Sequence, residues 1–142
     1  MEMRRRVSTH ICMTSDIGNS GNLFGGKMMM WMDEAAAIYA MWATGEKKMV
    51  TRHFSEVNFE SPVKHAELVD FYCGNPRKGR TSITFDLEVV SAGETKLVAE
   101  CTFVAIDDHG EKKPICWEGT PLSREEKMFQ TGGIETEKGF NS

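Results

Sequence analysis

The 142-residue sequence lacks any long run of apolar residues. A helix that spans a bilayer needs about 20 consecutive apolar residues, and no stretch approaches that length. The basic start, MEMRRR, leads into the polar VSTH and not into the apolar core of a signal peptide. We therefore expect a cytoplasmic protein that does not insert into a membrane.

The sequence also lacks closely spaced cysteine pairs and an excess of positive charge. The four cysteines, Cys12, Cys73, Cys101 and Cys116, are widely separated and form no C-x-x-C pair. This spacing is typical of reduced core residues and not of a disulfide framework. The four histidines also lack metal-ligand spacing, so we expect no bound metal. The net charge of -4 is opposite to that of most nucleic-acid-binding proteins, so no nucleic-acid partner is expected.

Several glycines come directly before an apolar segment. The stretch GNLFGGK, residues 21–27, fits the phosphate-loop pattern G-x-x-x-x-G-K-[ST] except at its last position, which is Met28. Methionine cannot replace the hydroxyl that holds magnesium, and the residues before the glycines do not form a buried strand. This pattern therefore does not indicate a nucleotide hydrolase.

The apolar segment predicts one long helix over residues 26–43. It is rich in Met, Ala and Trp, has no proline, and is followed by Gly45 as a stop. Because it is apolar around most of its circumference, we expect it to be largely buried. Five other stretches have the character of strands: 7–13, 49–59, 68–73, 81–90 and 96–106. Short connections between the later strands favour an antiparallel sheet packed on the helix, which is an α+β fold.

The domain is expected to occupy residues 1–120. Residues 121–142 are polar and contain glycine, and they are expected to form a mobile tail. Part of LSREEKMFQ is compatible with a helical turn, and the last dozen residues have the clearest character of a tail.

Two features of the predicted helix are compatible with catalysis. Backbone N–H groups at a helix start, near Gly25 and Gly26, stabilise a phosphate or a developing oxyanion. The alternative is a turn that allows close packing of helix and sheet. Asp33 has Met and Ala neighbours one turn away on either side, where a carboxylate is costly unless it is paired or used. The alternative is a surface acid beside Glu34, and from the residues alone both questions stay open.

The stretch GNLFGGKMMMWMDEAAAIYA resembles the signature of hot-dog-fold acyl-CoA thioesterases, specifically the YciA-type and cytosolic acyl-CoA hydrolase group. The motif G-x-x-F-G-G-x-x-M-x-x-M-D is matched by Gly21, Phe24, Gly25, Gly26, Met29, Met32 and Asp33. The similarity continues through VT, NFESPV, KGRTSITFDLEV and ECTFVAIDDHGEKKPI, over residues 7–116.

The resemblance implies hydrolysis of fatty acyl-CoA to free acid and CoA without a metal or another cofactor. It implies an antiparallel sheet wrapped around the central helix, and a homodimer, commonly assembled to a hexamer, with the active sites at the dimer interface. Asp33 would be the general base or the nucleophile. N–H groups near Gly25 and Gly26 would receive the thioester oxygen. CoA phosphates would contact the segment Arg77, Lys78, Gly79, Arg80, Thr81 and Ser82, for which an ordinary solvated hairpin is the alternative.

The sequence departs from the family pattern at two places. The family generally has an assisting Asn at the position of Gly18, where Asn19 is the neighbouring residue; either Asn19 takes that role or the amide is missing. The family usually has Gly-Asp where this chain has Ala66 and Glu67. A catalytically idle acyl-CoA-binding module and a dehydratase are the alternatives, and the glycine region lacks the His that a dehydratase needs.

Overall fold

A computed structural model describes residues 1–130 of the chain. The elements are β1 (Arg5–Ile11), α1 (Gly25–Thr44), β2 (Met49–Phe54), β3 (Asn58–Phe59), β4 (Leu68–Lys78), β5 (Ser82–Ser91), β6 (Glu94–Ala105) and α2 (Pro121–Gln130), with a short 3-10 helix at Thr14–Asp16. The α+β class expected from the sequence is confirmed.

The strands form one antiparallel sheet in the order β1-β4-β5-β6-β2, and the short β3 also pairs with β6. Buried and half-buried residues alternate along the whole of β5. The buried set packs with one side of α1 in a single core that includes Phe71, Phe85 and Phe103. Strand β2 is the last strand of the sheet, so its outer edge is unpaired among residues 1–130.

Helix α1 begins after Phe24 and ends at Gly45, whose left-handed conformation with φ of 69° suits glycine. Its buried side consists of Met28, Trp31, Met32, Ala35, Ala36, Tyr39, Ala40, Ala43 and Thr44. The expectation of a largely buried helix is wrong for the single chain. An apolar face of α1 is solvent-accessible and carries Met29, Met30, Ile38 and Met41, which are 40–51% exposed.

Two strand boundaries differ from the sequence predictions. Residues 49–59 form two strands, because the chain leaves the sheet ladder between Phe54 and Asn58. Strand β4 continues beyond Cys73 to Lys78, across a register shift between Gly74 and Arg77. A local irregularity of this kind lets a strand continue past residues that do not fit the alternation.

The ordered chain extends beyond residue 120. Helix α2 is ten residues long and therefore longer than the turn expected there. It packs against α1, and its Leu122 is fully buried in the core. Residues 131–142, the rest of the expected tail, lie outside the described residues.

Three of the four cysteines, Cys12, Cys73 and Cys101, are buried free thiols, as expected. The expectation is wrong for Cys116, which is exposed. Burial raises the pKa of the Cys73 thiol well above its usual range, so it stays neutral. No helix within residues 1–130 is both long and apolar enough to cross a membrane.

The turn before β4 shows the structural consequence of one departure from the family pattern. Ala66 has a φ of 70°, in the left-handed region where a residue with a Cβ costs about 1–2 kcal/mol and glycine does not. Glu67 keeps a structural role, because its carboxylate accepts hydrogen bonds from the Lys64 N–H and the Ser91 hydroxyl and pairs with the buried Lys96. Alanine thus leaves the turn intact but strained.

Replacing Ala66 by Gly is expected to stabilise the protein by about 1 kcal/mol, because relief of the left-handed strain exceeds the extra entropy of the unfolded chain. The measurement is the free energy of unfolding in denaturant at a fixed protein concentration. Ala37→Gly, in the regular helix α1, is the matched control and should destabilise by about 0.5–1 kcal/mol. Equal losses in both variants would contradict the strain at residue 66.

Candidate active site

Hydrogen bonds within the loop before α1, and from the loop to neighbouring segments, hold the loop in place. Within it, Ile17 forms a bridge with Leu23, and the Gly21 N–H donates to the Gly18 carbonyl at 3.1 Å. The Leu23 N–H donates to the Val63 carbonyl and the Phe24 N–H to the Asp16 carbonyl, both at 2.8 Å. These bonds determine where the first turn of α1 points.

Two backbone donors at the start of α1 are unused. The N–H groups of Lys27 and Met28 both donate to the Phe24 carbonyl, at 3.0 and 3.1 Å. The N–H groups of Gly25 and Gly26 find no acceptor among residues 1–130, and no side chain caps the helix. Both glycines are exposed, so this end of α1 can receive an anion from outside the chain.

The two glycines differ in the space around them. A Cβ built on Gly26 would lie 2.6 Å from Cε2 of the Phe24 ring, so a larger residue displaces that ring. A Cβ on Gly25 would meet nothing within 4 Å. Beside the Cβ position of Gly25, a ligand can therefore approach the backbone without moving any group that lies within residues 1–130.

Asp33 lies on the exposed face of α1, with its carboxylate Oδ1 accepting a hydrogen bond from Thr51 Oγ1 at 2.8 Å. Thr51 belongs to β2 and pairs with Phe103 of β6, whose side chain faces the core. Thr51 therefore faces the helix side of the sheet and fixes the orientation of the carboxylate. Sequence reasoning missed Thr51. The only signal in the sequence was that Thr51 belongs to the short VT match to the family. That match does not indicate that Thr51 contacts Asp33.

The helix geometry separates Asp33 from the free donors. Gly25 and Asp33 are eight residues apart, which is about 12 Å along the axis of an α-helix. A small acceptor that binds the Gly25 N–H is therefore too far along the helix to contact the Asp33 carboxylate of the same chain. The Asp33 carboxylate and the free N–H donors of one chain therefore lie at separate places along α1.

Asn19 lies in the exposed turn between Gly18 and Gly21. Its side chain makes no hydrogen bond with any residue of the part of the chain described here, so no bond joins it to Asp33. As far as residues 1–130 are concerned, the Asn19 amide is free to contact a ligand or a second copy.

Of the basic residues at the end of β4, two are already paired. Arg77 contacts Asp86 at 3.3 Å and Glu100 at 2.7 Å. Lys78 forms an ion pair with Glu126 of α2. These contacts neutralise much of the charge that the resemblance assigned to a phosphate site.

The turn from Gly79 to Ser82 is tight and carries one unpaired cation. The Gly79 N–H donates to the Ser82 carbonyl at 2.8 Å, and a Cβ on Gly79 would lie 2.5 Å from Ser82 Oγ. Arg80 is exposed and has no ion-pair partner among residues 1–130. The half-buried Thr81 and Ser82 follow directly. Arg80 is thus the basic residue of this segment that is available to an anion.

A cavity of about 480 Å³ opens beside Gly25. Its wall is largely apolar, from Leu23, Met28, Phe59, Pro62 and Val63, with Ser20, Asn22, Glu60 and Ser61 adding polar groups. This lining suits an organic ligand with an apolar portion and a few hydrogen-bonding groups.

The described residues contain no group of three or more His, Cys, Asp or Glu side chains that could hold a metal ion. Burial, with smaller contributions from Asp86, Asp33 and Glu100, raises the pKa of the Cys101 thiol well above its usual range. This thiol is therefore not a thiolate nucleophile at neutral pH.

Comparison with known proteins identifies the class to which this fold and site belong. Residues 20–107 match the model of the thioesterase superfamily, which covers more than half of the chain. The chain therefore belongs to the thioesterase superfamily.

Individual relatives indicate which group of thioesterases this chain is similar to. An uncharacterised acyl-CoA thioester hydrolase of Buchnera aphidicola is 32% identical over 114 residues, 74% of this chain and 84% of the relative. The acyl-CoA thioester hydrolase YciA of Salmonella typhimurium is 29% identical over 118 residues, 77% of this chain and 88% of the relative. The crystal structure of a hexameric hotdog-fold thioesterase of Campylobacter jejuni has a TM-score of 0.72 and 30% identity, and the match covers 84% of this chain and 94% of that one. The resemblance and the hot-dog fold expected from the sequence are confirmed.

Proposed function

We propose that the protein hydrolyses the thioester bond of acyl-CoA, with Asp33 and the N–H groups of Gly25 and Gly26 as the reacting constellation. The observation that carries the proposal is the pair of unused N–H donors at the start of α1. The same helix of this thioesterase-superfamily member also carries the exposed carboxylate of Asp33, which the Thr51 hydroxyl orients. N–H donors that are fixed before the reaction stabilise the oxyanion of acyl transfer without reorganising.

In the general-base form of the reaction, Asp33 takes a proton from water while the water oxygen attacks the thioester carbon. The carbonyl π electrons move to the oxygen, which receives hydrogen bonds from Gly25 and Gly26. When the tetrahedral intermediate collapses, the carbon–sulfur bond breaks and the CoA sulfur leaves with the electron pair and is then protonated. In the nucleophilic form, Asp33 attacks the carbon itself, and the carbon–sulfur bond breaks so that the CoA sulfur leaves with the electron pair and is protonated. Water then hydrolyses the mixed anhydride to the fatty acid and the free Asp33 carboxylate.

We infer that two copies of the chain complete each site. The separation of about 12 Å within α1 prevents one chain from supplying both the carboxylate and the N–H donors. The exposed apolar face of α1 and the unpaired edge of β2 both offer a surface to a second copy. If a two-fold axis sets two α1 helices antiparallel, Asp33 of each copy faces the helix start of the other. This homodimer is the proposed unit, and hexamers are the proposed assembly because relatives are described as hexameric.

The cavity beside Gly25 gives the substrate an apolar contact next to the reacting carbonyl. The CoA phosphates are assigned to the turn at residues 77–82, with Arg80 as the cation that contacts them. Asn19 is proposed to contact the thioester of its own or the partner's site. CoA is substrate and product, and no separate cofactor takes part.

The test of the function is release of free CoA thiol from a panel of acyl-CoAs of different chain lengths, followed with a thiol reagent. The proposal requires turnover, with one fatty acid formed for each CoA. Tight binding of acyl-CoA without thiol release would identify an idle binding module and would make Gly18, which replaces the family's Asn, the first residue to change.

Removal of the Arg80 charge, as Arg80→Gln, is expected to raise the KM for acyl-CoA about 5- to 50-fold with little change in kcat. A charge-assisted hydrogen bond to a phosphate contributes about 1.5–3 kcal/mol, but Arg80 is exposed and salt screens it. Steady-state kinetics at two salt concentrations provide the measurement. Arg77→Gln is the matched control and should change KM much less, because Arg77 is engaged by Asp86 and Glu100. Equal effects of the two variants would remove Arg80 from the phosphate site.

A further inference from the structure

Helix α2 and the residues before it hold the turn at 77–82 from one side. The indole N–H of Trp117 donates to the Gly79 carbonyl at 2.8 Å, and the Ile115 N–H donates to the Arg80 carbonyl at 2.8 Å. Two consecutive carbonyls of the turn are thus bound by the same short segment. We call residues 115–126 the C-terminal strap.

The strap also binds the base of the turn. The Lys78 amino group donates to Ser123 Oγ at 2.9 Å, pairs with Glu126, and lies 5.4 Å from the centre of the Trp117 ring. Ser123 in turn donates to the Trp117 carbonyl at 2.6 Å and so connects α2 to the segment before it. Lys78 is therefore an anchor of the strap and not a free cation.

The start of α2 is itself fixed. Thr120 accepts a hydrogen bond from the Ser123 N–H at 3.1 Å in the manner of an N-cap, and Leu122 is fully buried in the core. Leu122 anchors the strap in the core, while Trp117 and Ile115 bind the carbonyls of Gly79 and Arg80. The strap therefore restricts the backbone that carries Arg80. Preorganised backbone lowers the entropy lost when a ligand binds.

We propose that Trp117, with Ser123 and Lys78, is a positioning residue for the phosphate-bearing end of the substrate: the strap holds Gly79 and Arg80 so that the Arg80 side chain and the Thr81 and Ser82 segment meet the CoA phosphates. This inference rests on the proposed function for its ligand. The family resemblance extends over residues 7–116 and the expected domain over residues 1–120, so the sequence does not assign most of the strap to the binding site.

The test uses Trp117→Phe, which keeps an aromatic ring beside Lys78 and removes the N–H that binds Gly79. Binding of CoA and of pantetheine, which has the same thiol arm without nucleotide or phosphates, is measured by calorimetry on the full-length protein. We expect CoA affinity to fall about 2- to 10-fold, the range for loss of one neutral hydrogen bond, and pantetheine affinity to stay unchanged. The KM for acyl-CoA should rise by the same factor while kcat is retained.

Two companion variants keep the test decisive. Ser123→Ala, at a half-buried surface position, should give the same selective loss even if Trp117→Phe folds poorly. Cys116→Ser, at the exposed residue beside Trp117, is the control and should change neither affinity. Equal losses for CoA and pantetheine, or no loss for either, would overturn the positioning role. In a further outcome, the Trp117 and Ser123 variants lose CoA affinity selectively, but the wild-type protein releases no thiol from acyl-CoA. That result would contradict the proposed hydrolysis and would support the positioning role.

Discussion

Asp33→Asn is expected to lower kcat for acyl-CoA hydrolysis about 10²- to 10⁴-fold, which is the contribution of a well-placed general base. The amide has the same shape as the carboxylate and can still accept the hydrogen bond from Thr51 Oγ1, so the fold and the substrate site are expected to remain. What is lost is the ability to take a proton from water or to attack the thioester. Thiol release under saturating acyl-CoA measures the change in kcat, and the KM should stay within a few-fold.

Glu34→Gln is the matched control, because Glu34 is the adjacent exposed carboxylate on the same helix and makes no ion pair within residues 1–130. It should retain wild-type turnover. If both variants keep their activity, the catalytic carboxylate is elsewhere. If both lose it, a general effect of the negative charge on α1, and not the chemistry of one acid, is responsible.

The elements with a strong periodic pattern were predictable from the sequence. Helix α1 and strands β5 and β6 lie within a few residues of their predicted bounds, because the alternation of apolar residues and the Gly45 stop reflect local preferences. The exposed face of α1 was not predictable, since apolar residues on an accessible helix face have the same sequence pattern as apolar residues that face the core. Helix α2 was missed for the opposite reason: its sequence is polar, and one buried residue, Leu122, attaches it to the core.

In the candidate site, too, some residues were predictable from local sequence patterns and others were not. The glycines and Asp33 were found because helix starts and acids among apolar residues have recognisable chemistry. Thr51 and Trp117 were not found, because their roles depend on contacts with residues 18 and 38 positions away, which no local pattern encodes. Arg77 and Arg80 could not be told apart in the sequence. Only the fold shows that Arg77 lies against carboxylates on β5 and β6 whereas Arg80 does not.

Gly25→Pro is expected to lower kcat about 10²- to 10³-fold, the effect of removing one oxyanion donor. The substitution suits the backbone, because proline is favoured at the first position of a helix and Phe24 already has the extended φ of -62° and ψ of 130° that the residue before a proline needs. The Gly25 N–H has no partner within residues 1–130, so no internal hydrogen bond is lost. Gly25→Ala, which keeps the N–H in the same open space, should be affected far less. Similar losses in the two variants would indicate that bulk, and not the donor, matters at residue 25.

The same variant decides whether each site is shared between two copies. In a mixed dimer of one Asp33→Asn chain and one Gly25→Pro chain, a shared site can combine the intact Asp33 of the second with the intact Gly25 of the first. Random pairing makes half of the dimers mixed, each with one intact site of two, so co-expression should restore roughly a quarter of wild-type turnover from two nearly inactive variants. Sites contained within one chain give no restoration, because every chain carries one defect. The two chains carry different tags, and thiol release is measured on the co-expressed protein. A failure to recover activity would contradict the inference, drawn from the separation of about 12 Å, that Asp33 and the Gly25 N–H of one site come from different chains.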